Sequence, residues 1–179
     1  MKKIAFIGTH GVRKTTYAHA LFTKLKEGRV NVGILEEVAR MCPLINEDRT
    51  SESQKWIFYR QMVEEFGREF AKDSPDVLIC DRGVVDNYAY HVHPFGRDNL
   101  MDEVLRVHAQ TYDLIIRVPM IYDEIDYDGL RSTDKEFQET IDNNILDLLK
   151  EFKIPYEDFK SVEEIAVRYI SISDEFLPF

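Results

Sequence analysis

Residues Gly8-Thr9-His10-Gly11-Val12-Arg13-Lys14-Thr15-Thr16 follow a short apolar run, residues 3–7, and open an amphipathic stretch. Glycine, four residues, glycine, lysine, then serine or threonine is the spacing of a phosphate-binding loop, and here only the second glycine is missing, replaced by Arg13. No other feature constrains the fold as much. Such a loop works only where a buried strand feeds directly into a helix, because the anion is held by main-chain N–H groups and by the positive end of the helix dipole. In that frame all nine residues from Gly8 to Thr16 are candidates for holding a nucleotide. Lys14 would neutralise the β and γ phosphates, and the Thr15 hydroxyl would ligate Mg²⁺. The plainer reading is a glycine turn with an incidental lysine. Arg13 stands where glycine would let the backbone approach the phosphates without a Cβ in the way. That predicts weaker nucleotide binding than a glycine would allow. A tolerated variant, a degenerate site and an introduced substitution are all compatible with it.

The rest of the chain alternates apolar runs with amphipathic stretches, the pattern of an α/β protein with a parallel sheet covered on both faces. Strands are predicted at 3–7, 30–35, 76–80, 114–118 and 154–159. Helices are predicted at 14–27, 51–72 (capped by Ser51 or Ser53), 100–110, 135–152 and 162–169. On the long second helix, Trp56, Ile57, Phe58, Met62, Phe66 and Phe70 form the expected apolar set. Residues 88–99 read as an irregular aromatic and histidine-rich insertion, and 120–134 as a polar lid. The length fits one domain over 1–179. Ligands of such sheets bind at the carboxyl ends of the strands.

Three further groups fall at those ends. Val77-Leu78-Ile79-Cys80-Asp81-Arg82 is an apolar run ending in a carboxylate, so Asp81 is a candidate for Mg²⁺ and for taking a hydroxyl proton, with Arg82 as a phosphate clamp. Glu36-Glu37-Val38-Ala39-Arg40 ends the second strand. Glu37 would bind or deprotonate an acceptor hydroxyl and Arg40 would hold an anionic group; a plain charged surface is the alternative. Asp128-Gly129-Leu130-Arg131 lies in the polar segment, where Arg131 would close over the transferring phosphoryl group. In the insertion, Tyr88, Tyr90 or Phe95 could stack on an aromatic ring, and Tyr88 is taken as substrate-binding. His91 and His93 read as parts of a packed aromatic loop rather than as metal ligands, and Trp56 as core.

Composition narrows the partners. A net charge of −10 argues against general nucleic-acid binding. Cys42 and Cys80 are too few for a disulfide framework and match no zinc spacing, which favours a reducing cytoplasmic setting. The apolar start is too short for a secretory signal, and no segment approaches a membrane span.

Taken together, the loop at 8–16, Glu37-Val38-Ala39-Arg40, Cys80-Asp81-Arg82 and Asp128-Gly129-Leu130-Arg131 resemble the small phosphate-loop kinases of the nicotinamide-riboside-kinase-like group, an AAA-type group that includes the kinase domain of the bacterial NAD-biosynthesis regulator. The resemblance implies a P-loop NTPase fold: a three-layer sandwich with a five-stranded parallel sheet and a small lid. It also implies ATP and Mg²⁺ as cofactors and transfer of the γ-phosphoryl to a hydroxyl. Lys14 and Thr15 would bind phosphate and metal, Asp81 would serve as metal ligand or base, and Arg131 would be the lid cation. The acceptor does not carry over. The function expected is therefore an ATP- and Mg²⁺-dependent kinase of a nucleoside-like small molecule, with its nucleotide and acceptor as partners and a homodimer left open. The competing expectations are a nucleotide-binding module or NTPase with a loop impaired by Arg13, and a kinase of nucleic-acid hydroxyls.

Overall fold

A computed structural model describes residues 1–44, 50–120 and 132–174, with the side chains of 132–134 and 171–174 excepted. Residues 121–131 of the expected lid, Arg131 included, and residues 45–49 lie outside the described residues. The elements run β1 (Lys2–Ile7), α1 (Lys14–Glu27), β2 (Val32–Leu35), a 3-10 turn (Val38–Met41), α2 (Ser51–Glu69), β3 (Val77–Asp81), α3 (Val84–Phe95) and α4 (Asn99–His108). A second 3-10 turn (Ala109–Thr111) leads to β4 (Leu114–Arg117), α5 (Ser132–Glu151), β5 (Glu157–Asp158) and α6 (Val162–Asp174). The five strands form one parallel sheet in the order β2-β3-β1-β4-β5.

Why the central strands are so uniformly apolar follows from this order. Ile4, Ala5, Phe6 and Ile7 are all at 0% exposure. Alternate residues feed two separate cores. Ala5, Ile7, Leu78, Cys80 and Ile115 pack under α2, α3, α4 and α5. Ile4, Phe6, Val77, Ile79 and Ile116 pack under α1 and α6. Each fully buried Ile, Leu, Val or Phe among them contributes about 1.5–3 kcal/mol. The two cores clamp β1 from both faces, and the glycine loop begins at its carboxyl end.

Several expected boundaries move, each for a local reason. β2 starts at Val32 rather than residue 30, because the Val30 N–H is spent on Leu25 O at the end of α1. β5 is two residues long, since Ile154 N–H closes the end of α5 on Leu149 O. The cap of α2 is Thr50, not Ser51 or Ser53: its Oγ1 accepts the Ser53 N–H at 3.1 Å while Ser53 Oγ accepts the Thr50 N–H. Phe66 and Phe70, expected in the apolar set of α2, are 40% and 79% exposed; Ile57 and Phe58 of that set are buried, together with Ser53, Gln54, Gln61 and Glu65. The insertion expected at 88–99 is the second half of α3 and the entry to α4. Val84, Val85, Tyr88 and Ala89 recur at helical spacing and are all fully buried.

Candidate functional site

The loop after β1 has the shape its sequence demands. Gly8 has φ +147° and Gly11 φ +78°, and a Cβ on Gly8 would stand 2.7 Å from Val118 O, so no other residue fits there. Arg13 takes the conformation a glycine would. It has φ 66° and ψ 23°, the left-handed region, at the position preceding α1. α1 has no side-chain cap and no acid in its first turn. Its first hydrogen bond runs from Tyr17 N–H to Arg13 O at 3.1 Å, so the N–H groups of Lys14, Thr15 and Thr16 precede the intrahelical ladder. An uncompensated helix N-terminus of this kind favours an anion.

Lys14 is buried, its Nζ donating to Thr9 O at 2.5 Å. Burial pushes its pKa down to about 7, Arg82 nearby adds to the effect, and Asp86, Asp81 and Glu37 oppose it. The ammonium is thus held in a place that disfavours its charge until an anion arrives. Thr15 Oγ1 donates to Asp81 Oδ2 at 2.6 Å, so the two residues expected to share a metal are side by side. The parallel register that sets Phe6 beside Asp81 brings this about. Thr9 Oγ1 is buried and has no hydrogen-bond partner among the described residues. One hydroxyl against one carboxylate is a hard-oxygen donor pair, which fits Mg²⁺ with the remainder of its shell from phosphate and water.

Beside the loop lies a cavity of about 420 Å³. Ala39, Cys42, Leu44, Ile57 and Tyr90 give it apolar walls; His10, Glu37, Ser53, Gln54, Arg82 and Asn87 give it polar ones. Glu37 Oε1 accepts from Arg82 Nε at 2.7 Å, and Glu37 Oε2 from Arg40 Nε at 3.2 Å. Burial works to raise the Glu37 carboxyl, but the two guanidinium groups outweigh it and hold the group below the usual carboxylate range. Arg82 Nη1 lies 3.4 Å from Asp86 Oδ2, and its guanidinium sits 5.1 Å from the centroid of the Tyr90 ring. Burial opposes the Arg82 charge, yet Asp86, Tyr90 and Glu37 raise its pKa above the ordinary value. Asp86 itself is driven up to about 6 by burial, against the pull of Arg82 and Lys14. Arg82 has φ +98°. A non-glycine residue there costs on the order of 1–3 kcal/mol, and residues strained in this way cluster at active sites and ligand clamps.

Of the expected site residues, the structure therefore gathers Lys14, Thr15, Asp81, Glu37 and Arg82 at one end of the sheet. Arg40 is exposed and does not line the cavity; it acts as a partner of Glu37. Tyr88 is a correction. It is fully buried, its hydroxyl donating to Asp102 Oδ1 at 2.6 Å, and takes no part in the cavity. Tyr90 is the aromatic wall instead, and the His10 N–H donates to its hydroxyl at 2.9 Å. Helical geometry decides this: two residues along α3 is a rotation of about 200°, which turns Tyr88 inward and Tyr90 toward the loop. Trp56 packs on the core, and it, Tyr59 and Arg60 do not line the cavity. His91 Nε2 lies 3.2 Å from Ser51 Oγ, and His93 packs edge-on against Phe137. Tyr90 is one of the three aromatic candidates of the 88–99 segment, whereas Asp86, Asn87, Gln54 and Gln61 are not singled out by the sequence. Their spacing on α2 and α3 was the available signal.

A parallel sheet in this order, with the glycine loop between β1 and α1 and an acid at the end of β3, defines a P-loop NTPase fold of the kind shared by nucleoside and nucleotide kinases. The chain belongs to the AAA domain family, whose model matches residues 3–164. Among solved structures it is similar to thymidylate kinase from Ehrlichia chaffeensis, with 20% identity, 97% of this chain and 98% of that chain covered, and a TM-score of 0.63. It is also similar to the NadR protein in complex with NR, with 16% identity, 98% of this chain covered and a TM-score of 0.65; there it spans 51% of the other chain. No curated protein sequence matches it. Among the described residues, no helix is long and apolar enough to cross a membrane.

Proposed function

We propose that the protein is an ATP- and Mg²⁺-dependent kinase that transfers the γ-phosphoryl group to a hydroxyl of an uncharged nucleoside-like molecule. The observation that carries this is the junction of two half-sites. A phosphate loop with Thr15 and Asp81 in contact opens beside a cavity whose rim holds Glu37 and Arg82. The loop amides and Lys14 hold the donor phosphates. Thr15 and Asp81 would hold Mg²⁺, which when bound neutralises phosphate charge. Phosphoryl transfer asks chiefly for alignment and charge neutralisation. Glu37, kept ionised by its two arginines, orients the acceptor hydroxyl and receives its proton late in the transfer. Arg131 of the expected lid is the further cation of this scheme.

Two features support an uncharged acceptor. Arg82 is already matched by Glu37 and Asp86, and Arg40 by Glu37, so these cations are committed before an acceptor phosphate arrives. The amide-bearing Gln54 and Asn87 line the cavity together with Tyr90 and Ile57, a mixture suited to a flat ring with a polar edge. The fold's likeness to a thymidylate kinase, whose named acceptor is a nucleotide, and to NadR in complex with NR supports an acceptor built on a nucleoside, and the uncharged form rests on the cavity alone.

Labelled ATP offered with nucleosides, nucleoside monophosphates and oligonucleotides tests the proposal. Label transferred to a nucleoside is expected. Transfer to monophosphates alone would overturn the charge argument. Phosphate release at full rate without acceptor would make the protein a simple NTPase, and label on oligonucleotides would make it a nucleic-acid kinase.

A further inference from the structure

The catalytic end of β3 is gripped from behind by a chain of buried polar groups. Gln61 is at 0% exposure, and its Nε2 donates twice: to Arg82 O at 3.1 Å and to Glu65 Oε1 at 2.9 Å. Both N–H groups end on oxygens that only accept, so the amide has one orientation. Its Oε1 faces Asn87 Nδ2, a cavity residue, at 3.5 Å. Glu65 is also at 0% exposure and is held by four groups: Gln61, Tyr112 OH at 2.6 Å, His108 Nε2 at 2.7 Å and Lys3 Nζ at 3.0 Å. Tyr112 OH in turn accepts the Val84 N–H at 3.1 Å, at the start of α3.

A buried carboxylate is costly unless fully partnered, and a hydrophobic group would serve the core better. What this one does is aim a single amide at the carbonyl of Arg82, the residue with φ +98°. That peptide lies between Asp81, which meets Thr15, and Gly83, whose N–H is held by Asp86 at 2.8 Å. We infer that Gln61, locked by Glu65, is a positioning residue: it holds the left-handed Arg82 peptide and thereby sets Asp81 against the phosphate loop and the Arg82 guanidinium against Glu37. Its catalytic consequence rests on the kinase reading above. Its structural consequence does not.

The test combines both. Gln61→Met keeps the volume and removes the two donors. Arg82→Gly removes the need for restraint, because glycine accepts φ +98° without strain. In urea unfolding, the loss caused by Gln61→Met should be smaller in the Arg82→Gly background, by about fivefold or more in the unfolding constant. Additive losses overturn the inference, whether or not the protein turns over ATP. If Gln61→Met alone fails to fold, a soluble, cooperatively unfolding double variant supports the inference and an insoluble one overturns it. In kinetics, Gln61→Met should lower kcat for ATP turnover about 10- to 100-fold with KM for ATP within about threefold, as expected for misaligned groups. An unchanged kcat in an active protein also overturns it. A wild-type chain that neither binds nor cleaves ATP refutes the kinase reading alone, and the unfolding cycle still decides the positioning role.

Discussion

Replacing Arg13 with glycine separates two effects that the sequence runs together. Arg13 holds φ 66° and ψ 23° just before α1, with its side chain at the surface. The left-handed conformation costs a non-glycine residue about 1–2 kcal/mol. Glycine removes that cost but frees the unfolded chain, which takes back about 0.4–1 kcal/mol. The net gain in stability is about 0–1.6 kcal/mol, or from none to about 6 °C in Tm for a chain of this size. The strain is present in the free loop, and an anion that seats on the N–H groups of Lys14, Thr15 and Thr16 with the loop in this shape neither relieves nor deepens it. Affinity for Mg·ATP should therefore change by less than about fivefold, the scale of one exposed charge near the site. Differential scanning calorimetry and isothermal titration on the two chains measure both quantities. A lower Tm for Arg13→Gly would refute the strain argument. A tenfold or larger gain in affinity would show that the arginine displaces the loop, as the sequence pattern alone suggests.

The Lys14 pKa of about 7, against 10.5 ordinarily, means that the unfolded chain holds more protons between those values, so this group's effect on stability improves as pH rises through the window. Lys14→Met should unfold at or above the wild-type temperature at pH 7, lose that advantage by pH 10, and show no thermal shift with Mg·ATP; a retained shift would refute the loop assignment. Phosphates raise the lysine pKa again, so ATP binding at pH 8 should take up as much as about one proton, read from calorimetry in buffers of different ionisation enthalpy. For Asp86 the folded value of about 6 lies above the ordinary 3.8, so its contribution is fully present below 3.8 and is lost as pH rises through 6. Urea unfolding should accordingly find wild type losing stability relative to Asp86→Asn between pH 4 and 7, and a constant difference would refute the assignment. Tyr88→Ala should cost about 3–5 kcal/mol in unfolding experiments. Tyr90→Ala should cost much less and instead raise KM for the acceptor, and a reversal of these two phenotypes would refute their placement.

The glycine loop, the apolar runs and the acid ending one of them make the P-loop fold legible along the chain, because each is local: a strand buried on both faces must be apolar throughout, and a loop that wraps an anion needs glycine and lysine at set spacing. Lys14, Thr15, Asp81 and Glu37 were readable for that reason. What no local pattern carries is which side of a helix meets the site. Tyr88 and Tyr90 are equally aromatic, and only the docking of α3 on the sheet sends one into the core and the other to the cavity. Gln61 and Glu65 look like surface residues of an amphipathic helix, while Phe66 and Phe70 look like its core. The docking of α2 reverses that, because it turns Gln61 onto Arg82 O just past β3 and Glu65 onto Lys3, His108 and Tyr112, partners that are distant in sequence. Residue types therefore set the chemistry this chain has available, and the long-range packing of helix on sheet decided which of those residues meet.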